Sequence, residues 1–449
     1  MDQQLLATLL ASIETNSLVI VCGAGLSRTE PSNVPAASEL ATYCARTFTQ
    51  STGLPVPDGS ETDLEILAQF LFQNPIHWRL FLERIVNWGP FVRGANVGHV
   101  AVADFLCCGA VRFVVTTNFD VLIEFAAENM GEPQFRASLD GDQMQRYYSH
   151  RSVLKLHGCA RLDQEKTVWC KAQYDQQRGD LVIRERLRSS ETWLSANLRG
   201  CHILIVGFWS DWPHLNEALA AALAAQLPAS ILVVDLNGDE QLRRKAPELW
   251  DVAERLGDSF IRVRASGAEF LDEFRKQKSL KFFERVLNES VPTYRDLGGT
   301  VVGPVPVAPM DLTSDELYDL RRDICGVAPG EVVRDHVPSP NMRGVGAAHL
   351  LVQEKGSRFS GNRYKTLDGR TLRVVNGASD SLYRVKDRFS KGQSLSHAEE
   401  VVICVATIGD GNAPANVVRD TSRGFGDVVR QGSEARWLSF EAARVEGLC

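Results

Sequence analysis

Polar side chains recur at the points where the predicted buried strands of this chain end. These side chains are Ser27, Asn118, Asp120, His157, Ser210, Asp211 and Asn237. An asparagine amide both accepts and donates hydrogen bonds, and a histidine titrates near neutral pH. Asn118 and His157 could therefore orient a bound hydroxyl or water and remove a proton from it. One strand that ends in a polar residue would mean little, but five such strands predict a shared site.

A glycine loop follows the first of these strands. The segment Ser17–Ser27 carries a β-branched run into Gly23, Ala24 and Gly25, which is typical of a buried parallel strand followed by a loop. Glycines can adopt left-handed backbone angles and approach a phosphate closely. A glycine loop between a strand and a helix often binds a pyrophosphate. The third glycine of the dehydrogenase fingerprint is absent, so a tight turn without a ligand is the alternative.

Strands alternate with helical patterns up to about residue 287, which predicts an α/β fold with a Rossmann-like, doubly wound parallel sheet. Beside the strand before Gly23, the predicted strands are 111–116, 152–156, 202–206, 231–235 and 260–263. Ligands of such sheets bind at the carboxyl ends of the strands, where the polar residues concentrate. Helical patterns between about residues 55 and 95 predict an insertion that can cover a pocket.

The length of 449 residues predicts two or three domains. Glycine, proline and valine alternate from Leu297 to Ala308, which indicates a linker. We therefore expect one domain at 1–289, a linker at 290–312 and a smaller, strand-rich domain at 313–449. Two of the strands predicted in this last domain are 349–353 and 381–385.

Composition places the chain among ordinary globular proteins, with 44% hydrophobic and 23% charged residues and a net charge of -7. No apolar run reaches the ~18–20 residues of a membrane span, and the N-terminus does not resemble a signal peptide. We expect a cytoplasmic protein without membrane contact. The ten cysteines contain no Cys-x-x-Cys pair, which favours neither a zinc site nor a disulfide framework, so we expect no bound metal.

The stretch 355–391 is locally basic, with ten lysines and arginines against three aspartates. Phe359, Tyr364, Tyr383 and Phe389 are interleaved with them. Basic residues among aromatic ones can bind nucleic acid or another polyanion. The alternatives are the polar face of a β-domain and a surface for a protein partner or for self-assembly.

Three ordered motifs resemble those of sirtuin-like domains: Gly-Ala-Gly-Leu-Ser at 23–27, Thr-Thr-Asn-Phe-Asp at 116–120 and Lys-Leu-His-Gly at 155–158. The later Gly-Phe-x-Ser-Asp at 207–211 is more similar to the bacterial branch than to the classical deacylases. Classical sirtuins carry a Gly-Ile-Pro-x-Phe-Arg segment, where this chain has Asn33–Ala37, and a four-cysteine zinc module, which is absent. Over about residues 1–287, the chain resembles the branch that hydrolyses NAD in bacterial antiviral systems.

This resemblance implies NAD as the substrate, Asn118 and His157 as catalytic residues, and activation by a homo-oligomer or a partner protein such as an ATPase or a nucleic-acid-guided sensor. In cleavage of the nicotinamide–ribose bond the nicotinamide leaves without a proton. Asn118 would hold a ribose hydroxyl and a water, His157 would take a proton, and Asp120 would hold a ribose hydroxyl or orient Asn118. The residues implied in NAD binding are Gly23, Ala24, Gly25, Ser27, Thr117, Gly207, Ser210, Asp211 and Asn237.

Each candidate also has a structural interpretation. Asn118 and Asn237 are turn formers elsewhere, His157 could be a hydrogen-bonded structural residue, and Asp120 could cap the helix that starts at Val121. Ser210 and Asp211 could likewise cap the helix near Pro213. Two other functions stay open: an NAD-dependent protein deacylase or ADP-ribosyltransferase, and a non-catalytic scaffold that binds NAD or ADP-ribose.

Overall fold

The structure is a computed structural model of the chain. It describes residues 2–148, 151–175, 177, 179–210, 212–224, 230–300, 311–390, 400–407 and 435–449. The chain divides into two compact units, Met1–Phe274 and Arg275–Cys449. The division falls inside one long helix, Gly267–Asp296, so residues 290–296, predicted as the start of a linker, are helical.

Parallel strands form the centre of the first unit. They are β1 Leu18–Cys22, β2 Phe113–Thr116, β3 Ala137–Ser138, β4 Val153–Lys155, β5 His202–Val206, β6 Ser230–Asp235 and β7 Phe260–Arg264. Their order across the sheet is β3-β4-β2-β1-β5-β6-β7, and every neighbouring pair is parallel. This arrangement confirms the predicted Rossmann-like class.

Helices connect these strands and cover the sheet. They are α1 Gln3–Glu14, α2 Ala37–Thr52, α3 Leu64–Phe72, α4 Pro75–Leu80, α5 Val97–Cys107, α6 Leu122–Met130, α7 Gly141–Tyr147, α8 Leu181–Asn197, α9 Pro213–Ala224, α10 Asp239–Lys245, α11 Pro247–Glu254 and the first part of α12 Gly267–Asp296. Because successive strand residues point to opposite faces, β1 contributes to two cores. Val19 and Val21 pack with α8, α9 and α11, whereas Leu18 and Ile20 pack with α1, α5 and α12.

The region between β1 and β2 contains α3, α4 and a short π-helical segment, Phe81–Ile85. It shares its own apolar core with α2, in which Phe48, Leu67 and Phe81 are fully buried. A helical insertion therefore lies where the sequence predicts one.

Two loops meet backbone against backbone where β1 and β5 end. The Gly25 N–H donates to the Gly207 carbonyl at 2.9 Å. A Cβ atom on Gly23 would lie 2.6 Å from that same carbonyl oxygen, and one on Gly207 would lie 2.6 Å from the Leu26 nitrogen. Only Gly207 of these three glycines has a positive φ, of 59°. Gly23 and Gly25 do not use the left-handed angles that glycine can adopt. They are needed instead for the close approach of the loops.

The second unit is a smaller mixed sheet with helices. Its strands are β8 Arg358–Ser360, β9 Arg363–Lys365, β10 Thr371–Asn376, β11 Glu400–Val405 and β12 Arg436–Ser439. Beside the rest of α12, its helices are α13 Ser314–Cys325, α14 Arg343–Glu354, α15 Leu382–Ser390 and α16 Phe440–Val445. The strand order is β12-β11-β10-β9-β8, with β10, β11 and β12 parallel and β8, β9 and β10 antiparallel.

Two predicted strands of this unit are wrong. Residues 349–353 lie in α14, where Val345, Ala348 and Val352 are buried at helical spacing. Residues 382–385 lie in α15, which buries Val385 and Phe389 one turn apart. Among the described residues, no helix is both long enough and apolar enough to cross a membrane.

The contact between the two glycine loops can be tested with a matched pair of substitutions. Gly207→Ala places a methyl group 2.6 Å from backbone at a positive φ, so we expect it to lower the free energy of unfolding by about 2–4 kcal/mol. Gly257→Ala is the control, because Gly257 has a φ of 55° but nothing within 4 Å of its Cβ position, and we expect a loss of about 1 kcal/mol. Chemical denaturation measures both, and equal losses would contradict the close contact.

Candidate active site

The carboxyl ends of β1, β2 and β5, together with the residues after β4, surround a cavity of about 600 Å³. This volume lies in the range of small-molecule sites. The predicted site residues that line it are Ala24, Ser27, Thr117, Asn118, Asp120, His157, Gly207 and Ser210. The structure thus brings together side chains that lie up to 186 positions apart, from Ala24 to Ser210.

Three predicted site residues are described but do not line the cavity, and a fourth is not described. Gly23 and Gly25 lie in the loop contact described above. The side-chain and backbone nitrogens of Asn237 donate to the Asp235 carboxylate at 2.9 and 2.8 Å, which makes a local turn after β6. Asp211 lies outside the described residues. The NAD-binding roles of these four remain predictions.

The side-chain amide of Asn118 is held in one orientation. Its Nδ2 donates to the Gly23 carbonyl at 3.1 Å and to the Ser27 hydroxyl at 3.2 Å. Its backbone N–H donates to the Thr116 hydroxyl at 3.0 Å. Both hydrogens of the amide are therefore donated within the protein. The oxygen Oδ1 remains as the hydrogen-bond acceptor that Asn118 offers to the cavity.

The hydroxyl of Ser27 connects three segments of the chain. It is fully buried, donates to Asp120 Oδ2 at 2.9 Å and accepts from Asn118. His99 Nε2 lies 3.1 Å from the same oxygen. Since His99 Nδ1 accepts from the Asn96 backbone N–H at 3.2 Å, Nε2 carries the ring proton and donates it to Ser27. The hydroxyl therefore uses its one hydrogen and both of its lone pairs in hydrogen bonds.

Both carboxylate oxygens of Asp120 are used within the protein. One carboxylate oxygen accepts from Ser27, and the other accepts from the Leu122 N–H at 3.2 Å, in the first turn of α6. The carbonyl of Asp120 accepts from Nζ of Lys155, which also pairs with Glu124 at 2.7 Å. This ion pair is buried and fixes the backbone that carries Asp120.

Asn96 and His99 are members of this network that sequence reasoning missed. The Asn96 side chain accepts from the Gly98 and His99 N–H groups and donates to the Leu26 carbonyl at 2.8 Å. The start of α5 is thereby tied to the glycine loop. The signal available in the sequence was Asn96 itself, because asparagine is a preferred N-cap residue of helices.

His157 is buried beside the cavity and is 5% exposed. Its ring lies 4.4 Å from that of Trp212 and 5.5 Å from that of His214, between centroids. Its Nε2 has no hydrogen-bond partner in the part of the chain that the structure describes. Burial, followed by the charge that His214 acquires at low pH, holds the pKa of His157 well below its ordinary value, so the ring is neutral at neutral pH.

The rest of the cavity wall is largely apolar. The rings of Trp169 and Phe119 lie 4.5 Å apart between centroids and are tilted by 38°. They line the cavity together with Phe91 and Leu64 of the helical region. Val34 also lines it and is held by its carbonyl, which accepts from Arg28 at 2.9 Å. The helical insertion thus supplies part of the wall, as predicted.

Charged groups are unevenly placed around the cavity. Asp63, Glu65 and Asp120 line it, whereas Lys245, at the end of α10, is the one lysine or arginine among the described lining residues. Sequence reasoning missed Lys245, because it lies on a helix and not at the end of a strand. Among the described residues, no group of three or more histidines, cysteines or acidic side chains could hold a metal ion.

Residues 112–253 match the family model described as the SIR2-like domain. This segment extends from β2 to α11 and includes Asn118, His157 and Lys245. The predicted resemblance to sirtuin-like domains is confirmed over these residues, which match a SIR2-like domain. The sequence has no significant match among curated proteins.

Several solved sirtuin structures are also similar to the chain. A mutant Sir2 homologue in complex with 2′-O-acetyl-ADP-ribose is 16% identical, with a TM-score of 0.36 over 61% of this chain and 95% of that chain. A complex of Sir2, p53 peptide and NAD+ is 16% identical, with a TM-score of 0.35 over 62% of this chain and 98% of that chain. Both are distant, and the family model carries the assignment.

The buried histidines of the site predict how stability depends on pH. Burial lowers the pKa of His99 and of His214 to about 4 each, so both bind protons more readily in the unfolded chain. Their contribution to stability is complete above pH ~6.5 and is lost as the pH falls toward about 4. We expect the free energy of unfolding to fall over this window.

His214→Leu isolates one of these groups. In this variant the pH dependence of the free energy of unfolding should weaken by up to about 1.4 kcal/mol per pH unit between pH 4.5 and 6. Denaturant titrations at several pH values measure it. A variant with the same slope as the wild type would show that His214 is not buried in its neutral form.

Proposed function

We propose that the first unit is an NAD+ glycohydrolase, which cleaves NAD+ into nicotinamide and ADP-ribose. The observation that carries this proposal is the joint placement of the fixed Asn118 amide and the neutral His157 ring on one cavity. The SIR2-like match supports NAD as the ligand. The apolar wall around Trp169 suits a nicotinamide ring and limits the access of water.

In this mechanism the bond between C1′ of the ribose and the nicotinamide nitrogen breaks, and water adds to C1′. The nicotinamide leaves as a neutral molecule and needs no proton. Asn118 Oδ1 accepts a hydrogen bond from a ribose hydroxyl or from the attacking water, while His157 takes the proton that the water loses. Asp120 acts through Ser27, which holds Asn118.

Three backbone N–H groups of the glycine loop are not free to bind the pyrophosphate of NAD+. The Gly23 N–H donates to the Val206 carbonyl, the Gly25 N–H to Gly207 and the Leu26 N–H to Gly23. These three amides are thus already used within the protein. Lys245 is the described cation on the cavity wall and is exposed, so we assign it to the phosphates.

The biological role that we propose is depletion of NAD in antiphage defence, in the cytoplasm, after activation by oligomerisation or by a partner. The described lining of the cavity belongs wholly to the first unit, which leaves the second unit available for such contacts. Within the basic stretch, Arg363, Arg373 and Arg388 pair with acidic residues. These pairs favour a protein partner over a polyanion.

Removal of either central side chain should abolish most of the activity. The full chain, alone and with the proteins that co-purify with it, is incubated with NAD+, and nicotinamide and ADP-ribose are quantified. We expect Asn118→Ala and His157→Ala each to lower kcat by about 10²-fold or more. His202→Ala serves as the control, because His202 starts β5 at the opposite end of the sheet, where it contacts Ser230. Wild-type protein that leaves NAD+ intact in both preparations would overturn the proposal.

The role of Lys245 can be tested separately. Lys245→Gln removes the cation, so we expect KM for NAD+ to rise about tenfold while kcat stays nearly unchanged. KM should also depend less on the salt concentration than it does in the wild type. Lys245→Arg should behave like the wild type. Arg244→Gln is the matched control, since Arg244 lies on the same helix but pairs with Glu240 at 3.0 Å. An unchanged KM in Lys245→Gln would exclude a phosphate contact at this residue.

A further inference from the structure

A second histidine lies directly behind the proposed catalytic one. His214 is in the first turn of α9 and is 8% exposed. Among the described residues, neither of its ring nitrogens has a hydrogen-bond partner. A buried polar group without a partner lowers the free energy of unfolding, which points to a role for His214 that the resting structure does not fulfil.

His214 belongs to a cluster of rings that encloses His157. The centroid of its ring lies 5.5 Å from that of His157, 5.7 Å from that of Trp212 and 5.9 Å from that of Tyr174. Trp212 in turn contacts His157 at 4.4 Å. The two imidazoles are therefore held next to each other by aromatic neighbours on both sides.

The proposed reaction creates a need that His214 can meet. When neutral His157 takes a proton from water, both of its ring nitrogens become donors. Its buried Nε2 has no acceptor among the described residues of the resting structure. At 5.5 Å between centroids, ring nitrogens that turn toward each other reach a hydrogen-bond distance of about 3 Å. His214 is neutral, since burial lowers its pKa to about 4, and a neutral imidazole has one acceptor nitrogen.

We propose that His214 is a positioning residue that accepts a hydrogen bond from His157 once His157 has taken the proton of the attacking water. This inference rests on the proposed NAD+ hydrolysis. No proton passes to His214: the water proton stays on His157 and returns to solvent through the cavity after the product leaves. The contact stabilises the imidazolium and so favours proton removal.

If His214 served only to pack against its neighbours, its substitutions would affect the rate differently. If His214 only fills space between Trp212 and Tyr174, an apolar side chain of similar size should replace it without a loss of rate. If it acts as an acceptor, a glutamine, whose amide oxygen also accepts, should preserve part of the rate. The two interpretations are therefore separable by the chemistry of the replacement.

The test is a double-mutant cycle on the full chain, with nicotinamide release as the readout. His214→Leu and His214→Gln are made in the wild type and in His157→Ala. We expect His214→Leu to lower kcat about tenfold while KM for NAD+ changes less than about twofold, because a hydrogen bond to a charged group is lost. His214→Gln should recover most of that loss. In the His157→Ala background, neither substitution should lower kcat further.

Thermal unfolding of each variant identifies any that fail to fold, in which case His214→Met replaces His214→Leu. Full kcat in the apolar variant, or an equal loss in the presence and absence of His157, would overturn the role of His214. A rise in KM at unchanged kcat would do the same, because it would assign His214 to substrate binding. Wild-type protein that releases no nicotinamide would instead overturn the proposed function.

Discussion

The hydroxyl of Ser27 is the contact on which the site depends. It gives its hydrogen to Asp120 and receives hydrogens from Asn118 and His99, so three segments far apart in the chain meet at one buried oxygen. Its loss would leave several buried polar groups unpaired, at a cost of about 1–3 kcal/mol each. The orientation of Asn118 follows from this contact, since the amide cannot turn without giving up Ser27 and Gly23.

The parallel sheet makes this contact possible. Because β1 lies between β2 and β5, the loop after β1 can contact the loops on both sides of it. Toward β2 it is joined by hydrogen bonds to Asn118, and toward β5 it packs on Gly207 without side chains between the backbones. The cavity forms above these loops, with its polar groups at the strand ends and an aromatic wall to which Phe91 of the helical region, Phe119 and Trp169 contribute. Burial then keeps the nearby histidines neutral.

Much of this arrangement could be predicted from the sequence, because it depends on local signals. Strand β5 was predicted at 202–206, as observed, and the polar strand ends identified Asn118 and His157 as neighbours. Short apolar runs were less reliable for predicting whether a segment forms a strand or a helix. His349–Gln353 fits a strand or a helix equally well, and only packing in the second unit decides for α14.

The remaining features depend on contacts between distant residues. Glycine is required both for a left-handed angle and for a close approach, so the sequence could not reveal that Gly23 and Gly25 serve the second purpose. Lys245 and His214 lie on helices, and only the fold brings them to the cavity or to His157. Asn237 follows a strand, as Asn118 does, yet its amide is used by Asp235.

A crystal structure of the protein with ADP-ribose tests the central claim most directly. The account predicts that Asn118 Oδ1 accepts a hydrogen bond from the ligand's terminal ribose or from a water beside it, while Nδ2 stays on Gly23 and Ser27. A ligand bound elsewhere, or an amide turned so that Nδ2 faces the ribose, would contradict it.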